Sequence, residues 1–575
     1  YIDEAQFQEA LNDDVYTRIR AAQEYTEATT NKIYSYFEDE MNDEVINDLI
    51  NIKGFTRTQA QNLLYSGGLK IYTTQDPAIQ KILDEEYANP DNFPADTKFS
   101  VDFALTVKDP EGKEVNYSKE MMKLYFLNEN PAFDLLFASP EEGQDYVDRY
   151  TASILADGSK VVAQRCNFIP QPQSSMSIID QHTGYVKAVV GGRGTKHASL
   201  TLNRATDTMR QPGSTFKLLS TYAPALNELG LSLASTYEDE PFNYPSGEPV
   251  NNASRSYGGT TTIRAAIQNS INVVAVKCLM DVTPKLGLKY LDDFGFTTLA
   301  HGTEADTDAY GNIYTDENLP TALGGITRGV TNVELCAAYA TIANEGSYIK
   351  PIYYTKILDH NGNVLIEKTS VKRTVLRNTT AWLLTNAMQD VVTQGTGTAC
   401  QLPNMPVAGK TGTTESYNDL WFVGYTPYYT CAVWSGFDDN QKIPQDARNF
   451  HKHLWQKVMS RIHEDLPEKE FTMPSGIRMI SVCRDSGLLP SNGCHEITEY
   501  FDEGYIPTEY CYDHYYDYYE EYYDESNWES VYTPPEDIYY GDQYYDLNNY
   551  YDYNYDAGAN IGYYEEDVTY GEEYW

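Results

Sequence analysis

Apolar residues recur at helical spacing in the segment that follows residue 213. The positions that share one helix face are Phe216, Leu218, Leu219, Tyr222, Ala223 and Leu226. Because the turn residues Pro212 and Gly213 come directly before this run, the pattern predicts a helix that begins at Ser214, with Lys217 one turn further on the same face. Unpaired amides and the positive dipole at a helix start can stabilise an oxyanion and lower the pKa of a nearby lysine.

Two more helices are predicted around residue 270. Residues 262–270 form one periodic run and residues 273–280 begin another, so Ser270 and Asn272 lie at their junction. A hydroxyl there can relay a proton to a leaving amine, and an amide can hold a substrate backbone. The same serine can instead cap the second helix, and the pattern leaves both interpretations open.

Strand-forming residues dominate near residue 410. Residues 407–414, 420–425 and 429–434 lie between turn signals and predict an antiparallel sheet edge, in which Gly412 lets a ligand backbone approach closely. A capping box from Thr331 to Glu334 predicts a further helix. Together these elements predict an α/β (α+β) fold with an antiparallel sheet flanked by helices.

The 575 residues divide into segments of different composition. We interpret 80–173, which is polar and contains turn clusters, as a small α+β pedestal, and 174–465 as the main domain. Residues 466–512 form a cysteine-containing C-terminal extension. Residues 513–575 are rich in tyrosine, aspartate and glutamate and lack lysine and arginine, so a disordered tail is predicted there.

The net charge of −42 is unevenly spread and is strongly negative in the tail. This charge argues against nucleic acid and anionic lipid as partners. The chain begins at Tyr1 without a methionine, and it has neither a signal peptide nor an apolar run long enough to span a bilayer. We therefore interpret it as part of a longer protein.

Three short motifs with reactive side chains follow one another along the chain. They are Ser214-Thr-Phe-Lys217, Ser270-Ile-Asn272 and Lys410-Thr411-Gly412-Thr413. Each alone is weak evidence, but all three in this order favour catalysis. They provide a serine nucleophile, two candidate proton carriers and an anion-binding strand, the parts needed to take an acyl group from a peptide. This chemistry needs no metal and no organic cofactor.

The motifs and the residues around them resemble the transpeptidase domain of penicillin-binding proteins, and more narrowly the class A, bifunctional type. Further matching segments are Leu69–Pro77, Ser175–Asp180, Asn203–Thr206, Ala322–Gly325 and Trp421–Pro427. The resemblance covers about 174–440 strongly, and 1–80 and 470–511 more loosely. It implies the serine transpeptidase/β-lactamase-like fold.

The resemblance also implies a role for each motif residue. Ser214 would be the acyl-accepting nucleophile and Lys217 its base, while Ser270 and Asn272 would form the second catalytic element. The residues that would bind the carboxylate of a substrate or β-lactam are Lys410, Thr411, Gly412 and Thr413. The backbone amides of Ser214 and Thr413 would form the oxyanion hole.

The activity that the resemblance implies is D-Ala-D-Ala transpeptidation of peptidoglycan stem peptides, with acylation by β-lactams and a possible DD-carboxypeptidase side activity. Residues 1–79 would contain the end of a glycosyltransferase domain and a linker, and the intact parent would also polymerise glycan strands. An N-terminal anchor would hold that parent at the extracytoplasmic face of the bacterial cell membrane. The cell-wall synthesis machinery would be its partner, and nucleic acid would not.

Eight cysteines are scattered along the chain. Those predicted to be small core residues are Cys278, Cys336, Cys400 and Cys431. A second group with mixed ligand types contains Cys483, Cys494, Cys511, His495 and His514. Zinc binding is conceivable there, but the spacing matches no compact zinc finger, so we predict an extracytoplasmic disulfide from Cys483 to Cys494 and assign no metal. His451 and His453 are interpreted as surface residues.

Three rival functions remain open. A β-lactamase would share the motifs, but it is usually much shorter, and no clear Glu-x-x-Leu-Asn-like element lies between Asn272 and Lys410. A β-lactam sensor would be acylated without processing cell-wall substrate, but it would normally lack a segment like residues 1–80, which resembles the class A proteins. A catalytically silent cell-wall scaffold is hardest to separate from an enzyme. Because the reactive residues are all present, we predict an enzyme.

Overall fold

The computed structural model describes residues 33–514. The predicted end of a glycosyltransferase domain near Tyr1 and nearly all of the predicted tail therefore lie outside the described residues. The α-helices are α1 (Tyr36–Lys53), α2 (Arg57–Ser66), α3 (Pro77–Ala88), α4 (Lys119–Leu127), α5 (Pro140–Leu155), α6 (Ala223–Glu228), α7 (Ile263–Asn269), α8 (Asn272–Val282), α9 (Pro284–Asp293), α10 (Asn332–Ala343), α11 (Asn378–Thr393) and α12 (Phe450–His463).

The strands of the first half are β1 (Lys70–Thr73), β2 (Lys98–Lys108), β3 (Glu114–Ser118), β4 (Leu136–Phe137), β5 (Lys160–Gln171), β6 (Gln173–Asp180), β7 (Tyr185–Val190), β8 (Thr236–Asp239), β9 (Phe242–Asn243), β10 (Pro249–Val250) and β11 (Gly259–Thr262). Those of the second half are β12 (Ser347–Ile349), β13 (Tyr354–Leu358), β14 (Val364–Glu367), β15 (Lys372–Thr374), β16 (Ala408–Thr413), β17 (Asp419–Tyr425), β18 (Thr430–Gly436), β19 (Ile477–Cys483) and β20 (Glu496–Asp502).

A five-stranded sheet in the order β16-β17-β18-β6-β7 forms the centre of the structure. All of its neighbouring strands are antiparallel. Strand β16 pairs with β17 from Ala408 to Thr413 and is the edge of the sheet, as the sequence predicts. The next two strands inward, β17 and β18, are buried at every position.

Helices cover both faces of this sheet. Successive residues of β17 point to opposite faces, so Trp421 and Val423 join one apolar core and Phe422 joins the other. The first core is closed by α8, α10 and α11, and the second by α3 and α12. The expected antiparallel sheet flanked by helices is therefore confirmed.

Strands β2, β3, β4 and β5 form a separate four-stranded sheet. Together with α4 and α5 it encloses its own apolar core, which contains Phe103, Phe126 and Tyr150. Helix α3, at the start of the segment that we interpret as a pedestal, packs on the central sheet instead. The pedestal role stays a prediction.

The C-terminal extension folds as the hairpin β19–β20, in which Ile477 pairs with Asp502 and Cys483 with Glu496. Its apolar residues Val482 and Phe501 pack against Ala234. None of the helices within residues 33–514 combines the length and the apolar character needed to cross a membrane.

Two predictions about cysteine and histidine are wrong. The disulfide between Cys483 and Cys494 is not formed, and both cysteines are free. Their sulfur atoms instead lie 3.7 and 3.5 Å from Nδ1 of His514. His451 is buried at 2% exposure, because it lies in the first turn of helix α12, which packs on the sheet, and burial lowers its pKa to about 3. The four cysteines predicted to be core residues are buried.

Candidate active site

Ser214 lies on a tight turn that leads into a helical segment. Residues Gly213–Thr215 form a 3₁₀ turn, Lys217–Tyr222 a stretch of π-helix, and α6 continues from Ala223. The helix predicted from Ser214 is thus present, but its first turns are not α-helical. All residues of the π-helical stretch are buried, and such stretches are frequent at functional sites.

The turn before Ser214 is in direct contact with the edge strand. Gly213 has a left-handed backbone with φ +56°, and a Cβ on it would lie 2.8–2.9 Å from backbone atoms of Thr413. A Cβ on Gly412 would lie 2.5 Å from the carbonyl oxygen of Pro212. Glycine at both positions therefore brings the backbone of β16 against the turn that carries Ser214.

Two buried side chains hold this turn from the sheet and from α10. The indole Nε1 of Trp421 donates to the carbonyl oxygen of Gln211 at 2.9 Å. The hydroxyl of Tyr339 donates to the carbonyl oxygen of Thr215 at 2.8 Å. Both aromatic side chains are 0–1% exposed. The hydrogen bonds fix the backbone on both sides of Ser214, whose own side chain is half-buried.

Lys217 is fully buried and its amine has three close oxygen partners. Its Nζ lies 2.6 Å from the carbonyl oxygen of Ser270, 2.5 Å from Oδ1 of Asn272 and 3.2 Å from Oγ of Ser270. Burial, and then the nearby charge of Lys410, hold the pKa of Lys217 well below its usual value. The lowered pKa favours the neutral, basic form of this lysine.

Ser270 connects the two lysines. Its Oγ lies 3.2 Å from Nζ of Lys217 and 2.9 Å from Nζ of Lys410. It has φ +57°, an uncommon conformation for serine, because it is the left-handed C-cap of α7. The alternative that Ser270 caps the second helix is wrong, since Ile271 is the N-cap residue of α8 and no side chain caps it.

Asn272 is the first residue of α8, and both ends of its side-chain amide are engaged. Its Oδ1 accepts from Lys217, while its Nδ2 donates to the carbonyl oxygen of Asn251 at 2.6 Å. The backbone N–H of Asn272 donates to Oδ1 of Asn252 at 3.0 Å, and Nδ2 of Asn252 donates to Oδ1 of Asp239. This orients Asn272 before any ligand binds.

Sequence reasoning missed these supporting residues. Asn251 and Asn252 give only a turn signal in the sequence, and they lie about twenty positions before Asn272. No local pattern connects them with the serine–asparagine motif. Thr396, which follows α11, was also missed, and its hydroxyl lies 2.7 Å from that of Thr411.

Lys410 approaches the same hydroxyl from the sheet. Its Nζ donates to Oγ of Ser270 at 2.9 Å and to the carbonyl oxygen of Thr411 at 3.1 Å. The side chain is fully buried, and burial lowers its pKa to about 7. Along β16, Lys410 and Gly412 are buried whereas Thr413 is exposed, so the edge strand offers both a buried amine and the solvent-facing hydroxyl of Thr413.

The structure thus brings Lys217, Ser270, Asn272 and Lys410 into one hydrogen-bonded network. Ser214 lies on the turn that packs against Thr413 at the end of the edge strand, and Lys217, three residues further along the chain, connects this turn to the network. Two amines of lowered pKa on either side of a hydroxyl can move protons, and an edge strand can bind an extended peptide. This arrangement suits acyl transfer to a serine.

Comparison with known proteins agrees with this geometry. The family model described as penicillin binding protein transpeptidase domain matches residues 175–460, and the model described as penicillin-binding protein 1A, C-terminal domain matches residues 473–516. Penicillin-binding protein 1A of Clostridium tetani is 30% identical over 497 residues, which are 83% of this chain and 54% of that protein. The same-named protein of Aquifex aeolicus is 29% identical over 535 residues, which are 89% of this chain and 67% of that protein.

Solved structures show the same fold. Penicillin-binding protein 1A from Haemophilus influenzae has a TM-score of 0.56 at 20% identity and covers 81% of this chain and 77% of its own. PonA1 from Mycobacterium tuberculosis, solved in complex with penicillin V, has a TM-score of 0.53 at 20% identity, covering 76% of this chain and 96% of its own. The chain spans about half the length of the clostridial relatives that it matches. It belongs to the class A penicillin-binding protein family and carries the transpeptidase domain of that family.

Proposed function

We propose that this chain is a D-Ala-D-Ala transpeptidase that cross-links peptidoglycan stem peptides through an acyl intermediate on Ser214, and that β-lactams acylate the same serine. The observation that carries the proposal is the position of the Ser270 hydroxyl between the buried amines of Lys217 and Lys410, at 3.2 and 2.9 Å. This network lies beside the turn that holds Ser214.

Lys217 is suited to be the base. A neutral amine has two N–H groups and one lone pair. The two shortest hydrogen bonds of Lys217, to the carbonyl oxygen of Ser270 and to Oδ1 of Asn272, use the N–H groups and leave the lone pair for a hydroxyl proton. The lowered pKa of Lys217 makes this neutral form accessible.

In the acylation step, the Ser214 hydroxyl gives its proton to Lys217 while Oγ bonds to the carbonyl carbon of the penultimate D-alanine. The backbone N–H groups of Ser214 and Thr413 stabilise the resulting oxyanion. The C–N bond then breaks, and the amine of the last D-alanine takes the proton from Lys217 by way of Ser270. An amine of a second stem peptide attacks the ester, and its proton returns to the serine oxygen.

The edge strand is suited to hold the donor peptide. The substrate backbone would lie along the free edge of β16, and its terminal carboxylate would pair with Lys410, Thr411 and Thr413. Water in place of the acceptor amine would give a DD-carboxypeptidase side reaction. Within residues 33–514, no carboxylate bonds to Lys217, Ser270 or Lys410, which favours amine transfer over the water activation of a β-lactamase.

For the whole protein, we propose a place at the extracytoplasmic face of the bacterial membrane, among the cell-wall synthesis machinery, with glycan polymerisation as a second activity. The class A family to which the chain belongs supports this proposal.

Intact-mass measurement after exposure to benzylpenicillin tests the function. We expect one adduct, mapped to the peptide with Ser214, that persists for many minutes and is absent from Ser214→Ala. A D-Ala-D-Ala or thioester donor should yield an amide product when an amine is supplied.

Each rival function predicts a different result. Regeneration of free enzyme within seconds would indicate a β-lactamase, and a stable adduct without donor turnover would indicate a sensor. The absence of any adduct would indicate a silent scaffold. Any of the three would overturn the proposal.

A further inference from the structure

Three cysteines and one histidine of the C-terminal extension converge on one point. Cys483 ends β19, Cys494 precedes β20, and Cys511 and His514 follow the hairpin. The four candidate ligand atoms all lie within 4.8 Å of one another. Nδ1 of His514 lies 3.7, 3.5 and 3.4 Å from the sulfur atoms of Cys483, Cys494 and Cys511, respectively.

Hydrogen bonding alone does not account for this arrangement. Nδ1 of a histidine has either one proton or one lone pair, so it can make one good hydrogen bond and not three. A metal ion among the four atoms satisfies all of them. In a tetrahedral zinc site, with Zn–S near 2.3 Å and Zn–N near 2.0–2.1 Å, sulfur and nitrogen ligands are about 3.6 Å apart. The three observed distances match that separation.

The surroundings of the cluster support a metal ion. Cys483 and Cys511 are 0% and 1% exposed, and the backbone N–H of Ser491 donates to the sulfur of Cys494 at 3.3 Å. Nε2 of His514 lies 3.3 Å from Oδ2 of Asp485. A carboxylate on the far nitrogen of a ligating histidine orients the ring and raises its basicity, and such partners are common around metal sites.

Backbone hydrogen bonds bring the four ligands together from distant parts of the sequence. The N–H of Cys511 donates to the carbonyl oxygen of Leu489 at 2.8 Å. The N–H of Leu489 donates to the carbonyl oxygen of Glu509 at 2.9 Å. The last described segment therefore runs beside the residues that follow β19. This is why the linear spacing, which matches no compact zinc finger, favoured a disulfide over a metal site although the sequence already grouped these residues.

We propose that Cys483, Cys494, Cys511 and His514 bind one Zn²⁺ ion in a closed structural site. Three thiolates and an imidazole are soft ligands that select zinc over magnesium or calcium. Four protein ligands leave no open position, so the ion stabilises the fold and takes no part in the reaction at Ser214. It fastens the end of the extension to the β19–β20 hairpin, and the folded extension then reaches His514.

Metal analysis of the purified full chain, prepared without chelator, tests this proposal. Mass spectrometry of the elements should find zinc at one ion per chain. His514→Ala should lose most of it, whereas the matched control His495→Ala, whose side chain is 75% exposed and outside the cluster, should keep it. Cobalt substitution should give the visible bands of a tetrahedral thiolate site.

Thiol counting separates the proposal from a disulfide. With a zinc site, the denatured, chelator-treated and unreduced chain should titrate as eight thiols, the full cysteine content. A disulfide would leave only six titratable thiols and would overturn the proposal. A wild-type chain that holds no zinc even after zinc is supplied would overturn it as well. Iron in place of zinc, or equal zinc in His514→Ala and wild type, would also overturn it.

Discussion

At the scale of single residues, the notable feature is two fully buried lysines that share one serine hydroxyl. A buried ammonium is costly unless it is paired with an opposite charge, and neither Lys217 nor Lys410 hydrogen-bonds to a carboxylate among the described residues. The cost appears as a lowered pKa at both positions. One lysine can then be a base while the other remains a cation for the substrate carboxylate.

Substitution of the two lysines should separate these roles. Lys217→Ala should slow acylation of Ser214 by at least about a hundredfold, because a positioned base is lost. Lys410→Ala should mainly weaken β-lactam binding. Stopped-flow kinetics with a fluorescent penicillin resolves the acylation rate from the binding constant, and Lys289→Ala, an exposed lysine of α9, is the control. Acylation of Lys217→Ala at the wild-type rate would show that the proposed base is wrong.

The lowered pKa of Lys410 predicts a pH dependence. Lys410 is charged below about pH 7 and neutral above it, so its attraction for a carboxylate is present at low pH and is lost as the pH rises through about 7. Lys217 must be neutral to act as a base, so its contribution rises with pH. The second-order acylation constant should therefore rise with pH, pass through a maximum and fall beyond about pH 7.

A β-lactam with an esterified carboxylate is the control for this profile. The ester cannot use the charge of Lys410, so its slower acylation should rise with pH and show no falling limb. An identical falling limb for acid and ester would assign the decline to another group.

At the scale of elements, the short helix α7 connects the active site to the C-terminal hairpin. Ser270 is its C-cap residue, and Arg264 in its first turn pairs with Asp390 of α11 and Glu499 of β20, both at 2.6 Å. Glu499 is 2% exposed. The position of Ser270 therefore depends on contacts made by the hairpin.

This connection predicts an effect of the hairpin on catalysis. Glu499→Ala should lower the melting temperature, because it leaves the partly buried Arg264 with one fewer partner, and should slow acylation by about 2–10-fold through a displaced Ser270. The control is Glu503→Ala, which removes an exposed ion pair with Arg478 in the same hairpin and should change little. Equal effects of the two substitutions on acylation would contradict the connection.

At the scale of the whole molecule, the sequence predicted what is local. Hydrophobic periodicity and turn signals indicated the Ser270–Asn272 junction and the edge strand with Lys410, and both are present. The contact of two lysines with one hydroxyl joins residues far apart in the chain, so periodicity could not reveal it. The wrong disulfide has the same cause, since only the folded hairpin brings Cys511 beside Cys494.

The metal site predicts where the chain can be shortened. Truncation after Tyr518 should leave acylation and melting temperature nearly unchanged, because the acidic segment beyond it is poor in aliphatic residues. Truncation after Tyr510, which removes Cys511 and His514, should lower the melting temperature by roughly 3–10 °C. Differential scanning fluorimetry with and without added zinc measures the melting temperature of both truncated chains. A stable, zinc-indifferent chain ending at Tyr510 would contradict a structural role for the cluster.

The tight packing around Ser214 also limits how the protein could become resistant to β-lactam antibiotics. Any side chain at Gly213 or Gly412 would collide with backbone atoms of Thr413 or Pro212, at 2.5–2.9 Å, and backbone has little freedom to move away. Mutations at these glycines would abolish the enzyme together with its drug sensitivity. A change of the exposed Thr413 side chain would leave the turn intact, but it would weaken binding of the substrate carboxylate along with that of the drug, so resistance must arise at positions that the substrate does not use.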